Sequence, residues 1–162
     1  MKQTVGEGDN YPLPEDTLLS AKVGLVIERK TEYLLKEHHK KVKDGKAKVG
    51  DKDVFHAWEW PFFITEPGFE GLEVMGTTDP RITNAEGDKG KGWYETILDT
   101  TIQLGDDVDT DMLQGLPCII TIKHREPRSY NGRTYYECEI ADVYPVNARE
   151  IANGVASEEA PF

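Results

Sequence analysis

VFHAWEWPFFIT, residues 54–65, decides how this chain is read. Val54, His56, Trp58, Trp60, Phe62 and Ile64 recur at every second position, which is the period of a strand with one face buried. Phe55 falls on the opposite side. Pro61 has no N–H to give a ladder, so it points to an edge position or a bulge, with a switch of facing there. His56 lies on the apolar side and reads as a core histidine with its hydrogen bonds satisfied.

Working outward from this strand, residues 17–29 (TLLSAKVGLVIER) alternate as well, with Leu19, Ala21, Val23, Leu25 and Ile27 on one side. Residues 36–52 (KEHHKKVKDGKAKVGDK) carry no apolar face and read as a long loop, with room for a short charged helix near its start. EPGFEG is turn chemistry, and 72–78 (LEVMGTT) makes a third strand. Trp93, Tyr94, Ile97, Leu98 and Ile102 follow at helical spacing from a start near Lys89 or Gly90. The DDVDTD run beyond it reads as a solvated turn that caps a helix. A fourth strand, 117–125, turns through PRSYNG into a fifth at 133–144, and Asn131-Gly132 is a strong hairpin signal.

The expected fold is therefore mainly β: a five-stranded OB-fold barrel over 17–146 with one helix between strands 3 and 4. Residues 1–16 are expected as a flexible N-terminal arm and 147–162 as an acidic C-terminal tail. At 162 residues and 38% apolar content, one domain with a sizeable core is the default. No apolar run approaches a membrane span, and the polar N-terminus lacks a secretory stretch, so a cytoplasmic protein is expected. Cys118 and Cys138 are expected to stay reduced.

The net charge is −11, which argues against a polyanion as ligand. The charge is segregated, however. Lys36, Lys40, Lys41, Lys43, Lys46, Lys48 and Lys52 fall in the first loop, and Lys123, Arg125, Arg128 and Arg133 around the second, which is 11 of the 19 basic residues. Exposed charges act over only about 10 Å at ordinary salt, so local basic patches function within an acidic whole. An OB-fold binds oligonucleotides across strands 2 and 3, flanked by the loops joining strands 1–2 and 4–5. Those are the two basic segments.

Single-strand binders pair a cationic groove with aromatic rings on which bases stack. The expected contacts are Lys36, Lys40, Lys41, Lys43, Lys46, Lys48, Lys123, Arg125, Arg128 and Arg133 for phosphates, with Phe55, Tyr130 and Tyr135 for bases. Tyr130 is the strongest of the rings, since a hairpin tip offers little core to enter. Trp58, Trp60, Trp93 and Tyr94 are expected in the core. No catalytic residue, metal site or cofactor is expected, because no phosphate loop, nucleophile elbow or zinc spacing is present.

The chain ends SEEAPF. This resembles the acidic tip of bacterial single-stranded DNA-binding proteins, in which a tail ends in acidic residues and Pro-Phe. The resemblance implies that Glu158, Glu159, Pro161 and Phe162 dock on replication or repair proteins of a host cell. The acidic run is short and Ala160 replaces a larger apolar residue. The body, residues 17–146, is similar to phage-encoded OB-fold single-strand binders in its WEWPFFIT strand, GWYETIL helix and GLPCIITI…NGRTYYECEIADVYPV hairpin. It implies sequence-tolerant binding of single-stranded DNA in replication or recombination inside an infected bacterium. Two other readings remain open: an acidic nucleic-acid mimic or host-enzyme inhibitor, and an RNA-binding module of the same fold. Homo-oligomerisation is also open.

Overall fold

The computed structural model describes residues 11–151. The strands are β1 (Leu19–Val23), β2 (Ile27–Leu34), β3 (Lys52–Ile64), β4 (Glu73–Thr78), β5 (Pro117–His124), β6 (Arg128–Tyr130), β7 (Arg133–Tyr135) and β8 (Cys138–Tyr144). Two α-helices, α1 (Lys40–Lys43) and α2 (Lys89–Leu98), and a 3₁₀ turn at Thr110–Leu113 complete the elements.

The protein is mainly β. A six-stranded antiparallel sheet runs β2-β3-β1-β5-β8, with β4 on the other edge of β3. β6 and β7 form a separate two-stranded ribbon. β4 and β8 approach each other, but no ladder joins them among the described residues, so the sheet does not close into a barrel.

β3 keeps one facing from Trp58 to Ile64, although Pro61 on the other parity is also covered. Trp60, Phe62 and Ile64 are buried and Trp58 packs partly against them, while Phe63 is 42% exposed. The switch of facing expected at Pro61 does not occur, and no bulge forms, because Pro61 pairs in register with Met75. The missing N–H causes no loss for a geometric reason. β2 pairs with β3 as far as Glu59, and β1 takes over from Phe62. The carbonyl of Pro61 faces that gap and accepts from Gly24 N–H at 2.8 Å. A strand residue's N–H points the same way as its C=O, so the absent donor has no ladder partner to lose.

The same gap breaks the single strand expected over 17–29. Leu19, Ala21 and Val23 are buried as expected, but Leu25 and Ile27 are exposed and Val26 takes the inward position. The alternation slips by one residue where β1 hands over to β2.

The core centres on Trp93 of α2, which meets Trp60 and Phe62 edge-on at 5.4 and 5.6 Å between ring centres. Such pairs add to burial because ring edges and faces carry opposite partial charge. Gly76 permits the approach: a Cβ there would stand 2.6 Å from the Trp93 ring. Trp60 Nε1 donates to Thr78 Oγ1 at 2.8 Å, so the buried indole keeps its hydrogen bond. Asp88 caps α2 by accepting from Lys91 N–H and from Thr83. Burial alone would raise the Asp88 carboxyl, but the bonds from Thr83 and the backbone outweigh it and hold it low. Asp109 caps the 3₁₀ turn, as the DDVDTD reading required.

Three further expectations change. His56 is not a core residue: β3 leaves the body below Ala57, and His56 pairs with Glu28 in the open. Residues 11–16 are not a loose arm. Leu13 is buried, the Tyr11 ring stacks on His124, and Asp16 N–H donates to the Ile122 carbonyl. The tail does not start at 147 either, because Arg149 is clamped to the body. Its guanidinium donates to both Glu66 carboxylate oxygens at 2.7 Å and to the Leu18 carbonyl at 2.6 Å. No disulfide joins the cysteines, and burial pushes the Cys118 thiol up to about 12.

Candidate nucleic-acid interface

The first basic segment sits on a projecting ribbon. Among the described residues, β3 beyond the body is paired only with β2, and nearly every residue of β2 is exposed. Residues 35–51 close its end and contain α1. Asp53 pins α1 to the ribbon: it accepts from Lys41 Nζ at 2.7 Å and from Tyr33 Oη at 3.2 Å. The hydrogen bond from Lys41 is the main reason the Asp53 carboxyl lies below its usual range, and the same bond raises Lys41. His39 caps α1 through Nδ1 and lies 3.3 Å from Tyr33 Oη through Nε2. Lys41 is thus tied to the fold. Lys36, Lys40, Lys43, Lys46 and Lys48 are exposed, and among the described residues no carboxylate lies within ion-pair distance of them.

The second basic segment is the β6–β7 ribbon. Its turn is Asn131-Gly132, with φ of 50° and 75°, as the dipeptide predicts. Arg128 pairs with Tyr135 and Tyr130 with Arg133. Cross-strand partners share a face, and so do residues two apart. Arg128, Tyr130, Arg133 and Tyr135 therefore project from one face, with Ser129 and Thr134 on the other. Tyr130 is 69% exposed. Arg128 donates to both oxygens of Glu137 at 2.6 Å, and Arg125 to Glu139 at 3.0 Å. These two arginines are largely neutralised within the fold, whereas Lys123 and Arg133 have no such carboxylate among the described residues.

The ribbons leave opposite ends of the sheet. The C-terminal end of β1 lies beside Phe62 and Pro117, so β3 reaches past it into the first ribbon. β5 runs the other way, past Leu19 to His124, and leads into the second. Between them stretches the outer face of the body part of β3, residues 57–64, about 25 Å long at the rise of a strand. A cleft of about 340 Å³ at the second ribbon's base is lined by Leu72, by Met75 of β4, and by Arg125 and Tyr136.

No family model matches the chain, and no curated protein matches it. The site therefore rests on its own geometry.

That geometry adds residues the sequence reading missed. Phe63 lies on the outer face between the ribbons, and Lys22 of β1 stands directly opposite it. Arg29 of β2 lies 5.7 Å over the Phe55 ring, which is itself 44% exposed. Phe63 shares the parity of Phe55, so unbroken alternation would have revealed it. Lys22 and Arg29 have no sequence signal, since only strand pairing brings them beside the rings. Glu158, Glu159, Pro161 and Phe162 lie outside the described residues.

Proposed function

We propose that this protein binds single-stranded nucleic acid, DNA in the first instance, across the outer face of β3 and β4 between the two ribbons. The observation that carries the reading is the β6–β7 ribbon, with two exposed tyrosines and Arg133 on one face, beside Arg128, whose charge Glu137 offsets. Rings interleaved with cations suit stacked bases joined by phosphates. The five lysines of the first ribbon, which have no carboxylate partner among the described residues, supply charge at the other end.

The pairing pattern supports an OB-type architecture. If β1 and β2 count as one strand, then strand 1 pairs with 2 and 4, strand 2 with 3, and strand 4 with 5. α2 falls between strands 3 and 4. In that fold the two ribbons are the loops that flank the oligonucleotide face. Binding is sequence-tolerant, because stacking uses the ring faces that every base has. The acidic tip, with Glu158, Glu159, Pro161 and Phe162, recruits replication or repair proteins of a bacterial host.

The net charge of −11 and the internal pairing of Arg125 and Arg128 favour a second reading, an acidic mimic or inhibitor that binds no polyanion. Titration of labelled poly-dT, poly-rU and duplex DNA at two salt concentrations separates the readings. The binder gives poly-dT affinity well above duplex affinity, falling with salt. An RNA module prefers poly-rU. A mimic binds none of the three.

A further inference from the structure

β2 ends the sheet. Its inner edge is paired with β3 over all eight residues, and among the described residues nothing pairs with its outer edge. A row of unpaired N–H and C=O groups on an eight-residue strand is a template for another strand. The usual protection is a lysine in mid-edge, and β2 has one, Lys30. β2 also carries Glu32 two residues further on, already 3.1 Å from Lys52 of β3, and that spacing allows one register of self-pairing to bring Lys30 to the same carboxylate.

Consider two copies of β2 antiparallel about a two-fold axis through the sheet, which keeps like faces together. An axis at Lys30 sets Lys30 against itself and Glu28 against Glu32. An axis at Glu32 sets Glu32 against itself, and one at Arg29 sets Arg29 against itself. An axis at Thr31 sets Thr31 against Thr31, Lys30 against Glu32 and Arg29 against Tyr33, each of the last two occurring twice by symmetry. Of these registers it alone has no like charges directly opposite and has opposite charges facing. Facing charges of opposite sign stabilise a ladder and like charges weaken it.

We infer that a second copy of this chain pairs antiparallel along the open edge of β2, with Thr31 opposite Thr31 of the other copy. The ribbon also carries exposed apolar residues, which edge pairing leaves on its faces. Ile27 is 47% exposed, Leu34 60% and Val54 47%, while Leu35 at the ribbon's end is buried. Joining two ribbons makes a four-stranded sheet whose two faces stay open. The Phe55–Arg29 face of one copy then continues into that of the other, and the inference holds whether or not that face binds nucleic acid.

The test uses the full chain. Wild type is expected to sediment as a concentration-dependent dimer. Thr31→Cys should form a covalent dimer under mild oxidation that wild type does not. Directly opposed residues lie about 4.5–5.5 Å apart between Cα atoms, within disulfide range. Arg29→Cys should not cross-link, since in this register its two copies lie about 13 Å apart. Lys30→Glu should weaken the dimer about ten-fold by opposing carboxylates twice, and Lys30→Glu with Glu32→Lys should restore it. Circular dichroism establishes that each variant folds, and Thr31→Cys is conservative enough to carry the test alone. A wild-type monomer at every concentration overturns the inference and leaves the edge to residues outside 11–151 or to another protein. A dimer that cross-links through Arg29→Cys rather than Thr31→Cys, or ignores both charge changes, overturns it equally.

Discussion

Phe63 lies directly over Gly24: a Cβ on Gly24 would stand 2.5 Å from the edge of the Phe63 ring and 2.8 Å from Pro61. An exposed ring on the outer face of β3 thereby rests its edge on the backbone where β1 gives way to β2. A stacking platform needs this kind of fixed ring, because a mobile one loses rotamer entropy when a base lands on it.

Gly24→Ala should displace Phe63 and strain buried Pro61, lowering stability by about 1–3 kcal/mol as overpacking does. Phe63→Ala should leave stability nearly unchanged, since the ring is exposed, yet lower single-strand affinity by a stacking increment of about 1–3 kcal/mol. Urea unfolding and anisotropy titration of the two variants measure the difference. Undiminished affinity in Phe63→Ala would move the strand's path off this face.

Tyr130→Ala and Tyr135→Ala should each lower affinity by about 1–3 kcal/mol with little change in salt slope. Ser129→Ala and Thr134→Ala, on the opposite face of the same ribbon, should change nothing. Equal losses from both pairs would mean that the ribbon acts through its fold and not through its rings.

Replacing Lys36, Lys40, Lys43, Lys46 and Lys48 together by Gln should reduce both affinity and salt slope. Each lost phosphate contact should lower the slope by about 0.7. Lys41→Gln should behave differently, because its ammonium already neutralises Asp53. It should loosen α1 and change the salt slope less than an average lysine of the five. Affinities measured across a salt series decide both points.

Burial opposes the charge on Glu66, yet hydrogen bonds from Arg149 and Ser20 hold its carboxyl below the ordinary value of 4.5. A carboxylate with a lowered folded-state pKa stabilises the protein above its unfolded pKa, and the contribution is lost as pH falls through the folded value. Stability should therefore fall as pH drops below about 4.5. Glu66→Gln should start less stable at neutral pH and lose less over that range. Denaturant unfolding at several pH values checks the slope, and parallel curves for the two proteins would remove Glu66 from the acid transition.

Deleting Ala160, Pro161 and Phe162 should leave the domain folded and strand affinity unchanged or slightly raised, since an acidic tail competes with DNA for basic groups. It should abolish binding to any partner that recognises the bacterial tip, and a peptide of the last residues carrying Phe162→Ala should fail to compete. A pull-down with full-length and truncated protein makes the comparison. Partner binding that survives truncation would leave the Pro-Phe ending without a role.

Period and turn chemistry in the sequence determined which way side chains point. Trp58, Trp60, Phe62 and Ile64 face the core, Phe55 faces out, α2 turns Trp93 and Tyr94 inward, and Asn131-Gly132 makes a hairpin. These are local properties, set by backbone geometry within a few residues. Whether a side is covered is not local. His56 has the parity of Trp60 but lies where β3 has outrun the body, so the same alternation leaves it in water. The slip between Val23 and Val26 falls where β3 changes partner from β2 to β1, opposite Pro61, which is distant in sequence and adjacent across the sheet. Charge shows the same limit. The sequence placed Arg125, Arg128 and Lys41 in basic segments, but only folding brings Glu139, Glu137 and Asp53 within reach and removes these cations from the pool available to a ligand. Composition states how much charge a chain has, and strand pairing decides how much of it is left over.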